Sequence, residues 1–418
     1  MVRGSTVGFL VLLSSFALAG QGEHYALHNG DRVAWYGDSI TDNSPYCVYA
    51  EAYTVLHYPN LNVRFYNAGV GGDRVTGGWM GPIDQRLTRD LFSRKPTVIT
   101  SMLGMNDASY QKFDEGIFDT YKKGYQHMVD RFHAEAPNAR VWLFRPSPFD
   151  VITHTEHAAW MNDANGYNDV LLKYADYVSD LAKANGYGVV DQNAPLNDVL
   201  YKAKPIPLAQ QIIPDSIHPG WQGDMIMAEQ VLKAWGAQPI VSTVAIDAAV
   251  GQAAPVNAKV TGVQKGNSPS WTETEASLPF PIARKDPLAA LVLQCSDFDL
   301  ALNQEILTVT GLSDGSYHLK IDGKDLGSFT SQQFAAGVNL AQLDTPMIEQ
   351  AAKVLDLSQK RADLWYQRWR QLDFTLQDYP SSSLENAKKA LDGEIEEIVK
   401  QQHLAAQPKP HKYEVVPA

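Results

Sequence analysis

The sequence predicts an α/β protein built on a five-stranded parallel sheet, and three features carry that prediction. Five short apolar runs recur between about residues 30 and 240. Segments with helical periodicity separate them, the alternation that gives a parallel sheet covered on both faces. Residues able to do chemistry follow the runs, at the strand ends where open α/β sheets place their sites.

The elements follow in order. Arg32-Val33-Ala34-Trp35-Tyr36 reads as the first buried strand, then Val63-Arg64-Phe65-Tyr66 and Thr97-Val98-Ile99-Thr100. Val141-Trp142-Leu143-Phe144 and Gly188-Val189-Val190 complete the five. Ile117, Tyr121, Tyr125, Met128 and Phe132 share one helical face, as do Tyr167, Val170, Leu171, Tyr174, Val178 and Leu181. Asn185-Gly186 is a C-cap for the second of these helices. Met225, Ala228, Leu232 and Trp235 line a further helix that stops at Gly236.

The pattern changes after about residue 240. Residues 241–345 read as a small β-rich accessory region punctuated by Pro255, Pro269, Pro279 and Pro281. Within it, Glu305 to Thr310 and Ser316 to Ile321 are predicted to pair as a hairpin around Asp314-Gly315, and Asp322-Gly323 is a second turn signal. Residues 346–406 read as C-terminal helices. The first starts at Thr345-Pro346 and runs to Leu372, and the second is capped by Ser382 with Glu385 three residues on. Residues 407–418 are predicted to be a flexible tail. Trp365, Tyr366 and Trp369 read as a seam against the main domain.

Composition narrows the function. Of the 418 residues, 44% are hydrophobic and 20% charged, enough for a sizeable core. Lys and Arg number 35 against 47 Asp and Glu, for a net charge of −12. An acidic chain without a basic block is a poor nucleic-acid binder. Two cysteines, Cys47 and Cys295, exclude a disulfide-dense scaffold or a four-thiolate zinc site, and leave open whether they pair or remain thiols. Arg3, the apolar stretch Val7–Ala19 and the small residues Ala17 and Ala19 read as a cleaved signal peptide over residues 1–19. That predicts a secreted or periplasmic mature chain starting near Gly20, with no membrane span and with its main domain over residues 20–240. The sequence carries no signal for oligomeric state.

Four strand-end segments carry the chemistry. Gly37-Asp38-Ser39-Ile40 follows the first strand, where a turn can present the Ser39 hydroxyl as a nucleophile. Asn67-Ala68-Gly69-Val70-Gly71-Gly72-Asp73 follows the second, with glycines that leave N–H groups free for a ligand oxygen. Gly104-Met105-Asn106-Asp107 follows the third, and the Asn106 amide is a neutral donor suited to an oxyanion. Asp215-Ser216-Ile217-His218 follows the fifth, where His218 is a candidate base and Asp215 its partner. Each is as readily a turn or a cap on its own. Their combination and chain order are specific.

The four segments resemble the signature blocks of the SGNH, or GDSL-type, hydrolase family across roughly residues 30 to 236. The resemblance implies a flavodoxin-like three-layer fold, a serine esterase and no metal or other cofactor. It assigns Ser39, Asp215 and His218 as catalytic residues, and the oxyanion hole to Ser39, Gly72 and Asn106. Gly71 is the competing choice for the glycine. The implied substrate is a small ester or an acetylated carbohydrate, with a lipolytic enzyme or a carbohydrate-binding envelope protein as alternatives. Trp79, Arg74 and Trp221 are candidate substrate contacts, each with packing or a surface salt bridge as its rival. His154 and His157 lack the spacing of zinc ligands and read as ordinary histidines.

Overall fold

The computed structural model describes residues 25–43, 45–156, 159–161 and 166–418. The signal-peptide segment 1–19 and His157 lie outside them. The first half contains β1 (Arg32–Gly37), α1 (Pro45–His57), β2 (Arg64–Asn67), β3 (Val98–Met102), α2 (Glu115–Glu135), β4 (Arg140–Arg145), α3 (Tyr167–Ala184), β5 (Gly188–Asp191), α4 (Ala194–Ala203) and α5 (Trp221–Ala234). The five strands form one parallel sheet in the order β2-β1-β3-β4-β5. The order reverses direction between β1 and β3, the switch point where such sheets open a crevice.

Local chemistry accounts for the elements that flank the site. β1 is buried from Val33 onward, and Trp35 packs its ring 5.4 Å from Trp235 and 5.6 Å from Tyr46. α2 starts where Asp114 accepts from the Ile117 N–H at 2.9 Å. Its buried tyrosines then grip β3 and the turn after it. The Tyr125 hydroxyl donates to the Ser101 carbonyl at 3.1 Å, and that of Tyr121 to Leu103 at 2.9 Å. The strand end leading to Asn106 is therefore held by side chains as well as by the sheet.

The second half contains β6 (Ile240–Asp247), β7 (Gln252–Val256), β8 (Ala258–Gln264), β9 (Ser270–Glu275), α6 (Pro287–Cys295), β10 (Gln304–Thr310), β11 (Ser316–Ile321), β12 (Lys324–Thr330), β13 (Val338–Asn339), α7 (Pro346–Tyr366), α8 (Ser382–Ala405) and β14 (His411–Pro417). They build two sheets, one ordered β13-β10-β6-β7 and the other β8-β9-β14-β11-β12.

Several expectations need correction here. The residues 305–310 and 316–321 do not form a hairpin, because β10 pairs in parallel with β6 while β11 belongs to the other sheet. The corner between them is pinned by Asn267, whose side-chain oxygen accepts from the Ser313 N–H at 3.0 Å and the Tyr317 hydroxyl at 2.6 Å. The Asp322-Gly323 turn does close a hairpin, joining β11 to β12 with both residues at positive φ. The tail 407–418 is not flexible. β14 inserts between β9 and β11 and buries His411, Tyr413 and Val415 at a period of two. Ser381, not Ser382, caps α8, accepting from Leu384 at 3.1 Å. Cys47 and Cys295 are both buried free thiols.

α7 continues as a π-helical stretch, Gln367–Phe374, and runs along β2, the edge of the parallel sheet. Arg361 donates to the Phe65 carbonyl at 2.8 Å and Trp365 to the Asn67 carbonyl at 2.7 Å. These bonds occupy edge carbonyls that would otherwise be open to another strand. Trp365 and Trp369 are buried in this seam as expected, whereas Tyr366 points outward.

Candidate active site

β1 ends at Gly37 and the chain turns at once into a short helix, Ser39–Asn43. The turn is tight enough to demand glycine. A Cβ on Gly37 would sit 2.9 Å from the Met102 carbonyl oxygen and would overlap the Thr41 hydroxyl. The Asp38 carboxylate accepts from the Ile40 N–H at 3.1 Å, and burial pushes its carboxyl up to about 7. Ser39 is thereby presented at the carboxyl end of the sheet.

His218 reaches it from the loop before α5. Its Nε2 lies 2.8 Å from the Ser39 hydroxyl, and its Nδ1 lies 2.7 Å from the Asp215 carboxylate. The other Asp215 oxygen accepts from the N–H groups of Ile217 at 3.0 Å and His218 at 2.7 Å. Ser216, at a φ of 69°, makes the left-handed turn between them. Burial works to raise the Asp215 carboxyl, but the hydrogen bonds from His218 and Ile217 outweigh it and hold it below the usual range. His154 packs beneath this loop, its Nε2 3.0 Å from the Ile213 carbonyl and its Nδ1 2.8 Å from Glu156.

β2 and β3 bring up the other groups. Gly71 lies against Ser39, so that a Cβ there would be 3.9 Å from the Ser39 Cβ. Its N–H is taken by the Asp42 carboxylate at 3.0 Å. Gly72 is exposed, with a φ of 77°, and among the described residues no acceptor takes its N–H. The free donor is thus Gly72. Asn106 is held from both ends of its amide. Its oxygen accepts from the Tyr110 hydroxyl at 3.1 Å, and its nitrogen donates to the Asp73 carbonyl at 3.2 Å.

Beneath the glycine loop lies a buried ionic network. Arg86 bonds Asp73 at 3.0 Å, the Ala68 carbonyl at 2.8 Å and Asp90. Trp369 adds a bond to Asp90 at 2.8 Å. Burial would raise both carboxyls. At Asp90 the bonds from Arg89, Arg86 and Trp369 reverse that and lower it, whereas Asp73 stays raised.

The structure therefore brings together Ser39, His218 and Asp215, with Gly72 and Asn106 reaching the same end of the sheet. Trp79 is 63% exposed and donates its indole N–H to the Gly71 carbonyl at 3.0 Å. Trp221 is half-exposed three residues beyond His218, its ring 5.8 Å from Tyr49. Arg74 is exposed and makes no ion pair among the described residues. Sequence reasoning missed Asp42, Tyr110 and Arg370. Asp42 and Tyr110 follow Ser39 and Asn106 by about one helical turn, a usable signal. Arg370 comes from a distant segment and gave none.

A family model described as the GDSL-like lipase/acylhydrolase family matches residues 35–226, which carry every one of these groups except Arg370. The domain belongs to that family. The chain is 25% identical over 223 residues to an acetylxylan esterase of Geobacillus stearothermophilus, covering 50% of this chain and 95% of that protein. A crystal structure of an acetylxylan esterase from the same organism aligns with 24% identity and a TM-score of 0.41, over 51% of this chain and 97% of that one. A gut microbial diltiazem-metabolizing enzyme aligns with 25% identity and a TM-score of 0.79, over 94% of this chain and 98% of that one. The chain is a carboxylic ester hydrolase, and no described helix is long and apolar enough to cross a membrane.

Proposed function

We propose that the protein is a serine esterase releasing short acyl groups, acetyl foremost, from small or carbohydrate esters. One observation carries the reading: the Ser39, His218 and Asp215 side chains form an unbroken hydrogen-bonded chain of 2.8 and 2.7 Å beside the free Gly72 N–H. Ser39 attacks the ester carbonyl while His218 Nε2 takes its proton, and Asp215 holds the ring by Nδ1. The Ser39 and Gly72 N–H groups and the Asn106 amide receive the oxyanion. His218 then gives the proton to the leaving alcohol, and a water that it activates releases the acid and restores Ser39.

The likeness to an acetylxylan esterase over the catalytic half supports an acetylated carbohydrate. A second reading has its own support. A relative that aligns along both halves is named for metabolising diltiazem, which favours a small ester other than a sugar. Trp221 and Arg74 would contact the alcohol moiety in either case. Residues 241–418 act as a brace for the catalytic half rather than as a separate binding module, since α7 covers the sheet edge. Residues 1–19 direct secretion.

Hydrolysis of p-nitrophenyl esters from acetyl to decanoyl, wild type against Ser39→Ala, tests the activity. Rates that fall with chain length and vanish in the variant are expected. A preference for long chains would favour a lipolytic enzyme, and unchanged rates in the variant would overturn the mechanism. Acetate release from acetylated xylan, compared with diltiazem turnover, separates the two substrate readings.

A further inference from the structure

The reading above needs the Gly72 N–H aimed at the oxyanion, yet a Gly-Gly peptide has little of its own to hold its plane. The Gly72 N–H and the Gly71 carbonyl belong to one planar trans peptide and point in opposite directions. Whatever grips the carbonyl therefore aims the donor. That grip is the Trp79 indole N–H, 3.0 Å from the Gly71 carbonyl oxygen. The preceding peptide is gripped as well, through the 3.0 Å bond from the Gly71 N–H to Asp42.

Both grips are backed by the C-terminal half. The Arg370 guanidinium donates to Asp42 at 2.6 Å and to the Gly69 carbonyl at 3.2 Å. The same cation lies 5.5 Å from the centre of the Trp79 ring and 4.7 Å from that of Trp369. Phe374 closes on Trp79 edge to face at 5.5 Å. Arg370 and Phe374 sit in the π-helical stretch, an irregularity that turns different side chains inward than a continuous α-helix would. Trp79 is wide open to solvent, so its fixed position comes from these contacts and not from burial.

We propose that Trp79 and Arg370 are positioning residues that clamp the Gly71–Gly72 peptide and so aim the Gly72 N–H, making the C-terminal half part of the oxyanion machinery. This assigns Trp79 a role other than a stacking platform for substrate. It rests on the serine-esterase reading, and the experiment separates the two.

Trp79→Phe keeps an aromatic ring and removes the indole N–H along with the pyrrole part of the ring. On p-nitrophenyl acetate the clamp predicts a kcat loss of ~10-fold, below the ~10²–10³ of deleting an oxyanion donor outright. KM should change by less than about twofold, and affinity for a tetrahedral boronate inhibitor should fall in step with kcat. Arg370→Gln should give the same signature, with Arg370→Lys intermediate because an ammonium can still reach Asp42 but lacks the planar guanidinium that lies against the Trp79 and Trp369 rings. Raised KM with unchanged kcat and boronate affinity in Trp79→Phe would overturn the clamp and make Trp79 a substrate platform. Wild-type kinetics in Trp79→Phe would also overturn it. Because Trp79 is exposed, that variant remains decisive even if the Arg370 variants misfold. Ser39→Ala, assayed in parallel, must be inactive. If it keeps activity, the serine-esterase reading fails irrespective of how the clamp variants behave.

Discussion

Two buried carboxylate networks, one in each half of the molecule, are held in opposite ways. In the catalytic half every member of the buried Asp73–Arg86–Asp90 group has an opposite charge beside it, and Ala68 and Trp369 supply further bonds. In the accessory half three glutamates, Glu273, Glu275 and Glu305, are buried close enough that Glu275 raises the carboxyls of the other two. Their hydrogen bonds are few. Trp271 donates to Glu273 at 2.9 Å and Tyr413 to Glu275 at 2.7 Å, while both Glu305 oxygens lack a partner among the described residues. Burial, and then Glu275, pushes the Glu273 carboxyl to about 8, and burial pushes Glu305 well above the usual range. One network is held by attraction between charges. The other is tolerable only while it keeps its protons.

That contrast can be broken from either side. The largest effect should come from Arg86→Met, which leaves the buried Asp73 without its cation and Asp90 with Arg89 alone. A loss of about 3–5 kcal/mol is expected in urea unfolding at pH 7, the cost of breaking a buried ion pair from one side. A change under about 1 kcal/mol would mean that the carboxyls simply take up protons and that the pairing matters little.

The accessory cluster should respond to pH instead. Carboxyls raised in the folded state bind protons that the unfolded chain releases, so their contribution is complete below about pH 4.5 and is lost as pH rises toward 8 and beyond. The melting temperature should therefore fall across that window. Glu305→Gln removes one of the three charges and should flatten the slope, gaining on the order of 1 kcal/mol at pH 8. An unchanged slope would show that the cluster does not control the pH dependence.

Tyr110→Phe should have the smallest effect. It removes the hydroxyl bond to the Asn106 oxygen at 3.1 Å but leaves the ring stacked 5.0 Å from Tyr167. A kcat lowered about fivefold, roughly 1 kcal/mol, with an unchanged melting temperature is expected. A stability loss without a rate loss would make Tyr110 a packing residue alone.

The halves also differed in how far their sequence could be read, and for a related reason. The catalytic half is made of strand–helix units whose partners lie near in the chain. Periodicity identified β1 to β5, and each signature group lies within a few residues of a strand end or a helix start. The accessory half is closed by distant pairings. β14 carried a readable alternation in His411, Tyr413 and Val415, but Pro408, Lys409 and Pro410 before it suggested an end to structure. Turn chemistry at Asp314-Gly315 suggested a hairpin and could not say that the chain changes sheets there. Asp286-Pro287 is a good helix start that went unused before α6. Arg370 meets Asp42 across 328 residues, a juxtaposition that only the closed fold creates.

The central claim is that Ser39 is the nucleophile and His218 its base. Labelling with a fluorophosphonate, followed by intact mass and peptide mapping, tests it most directly. A single adduct on Ser39 is expected, absent in Ser39→Ala and formed at least ~10²-fold more slowly in His218→Ala. An adduct on another residue, or labelling of His218→Ala at the wild-type rate, would contradict the account.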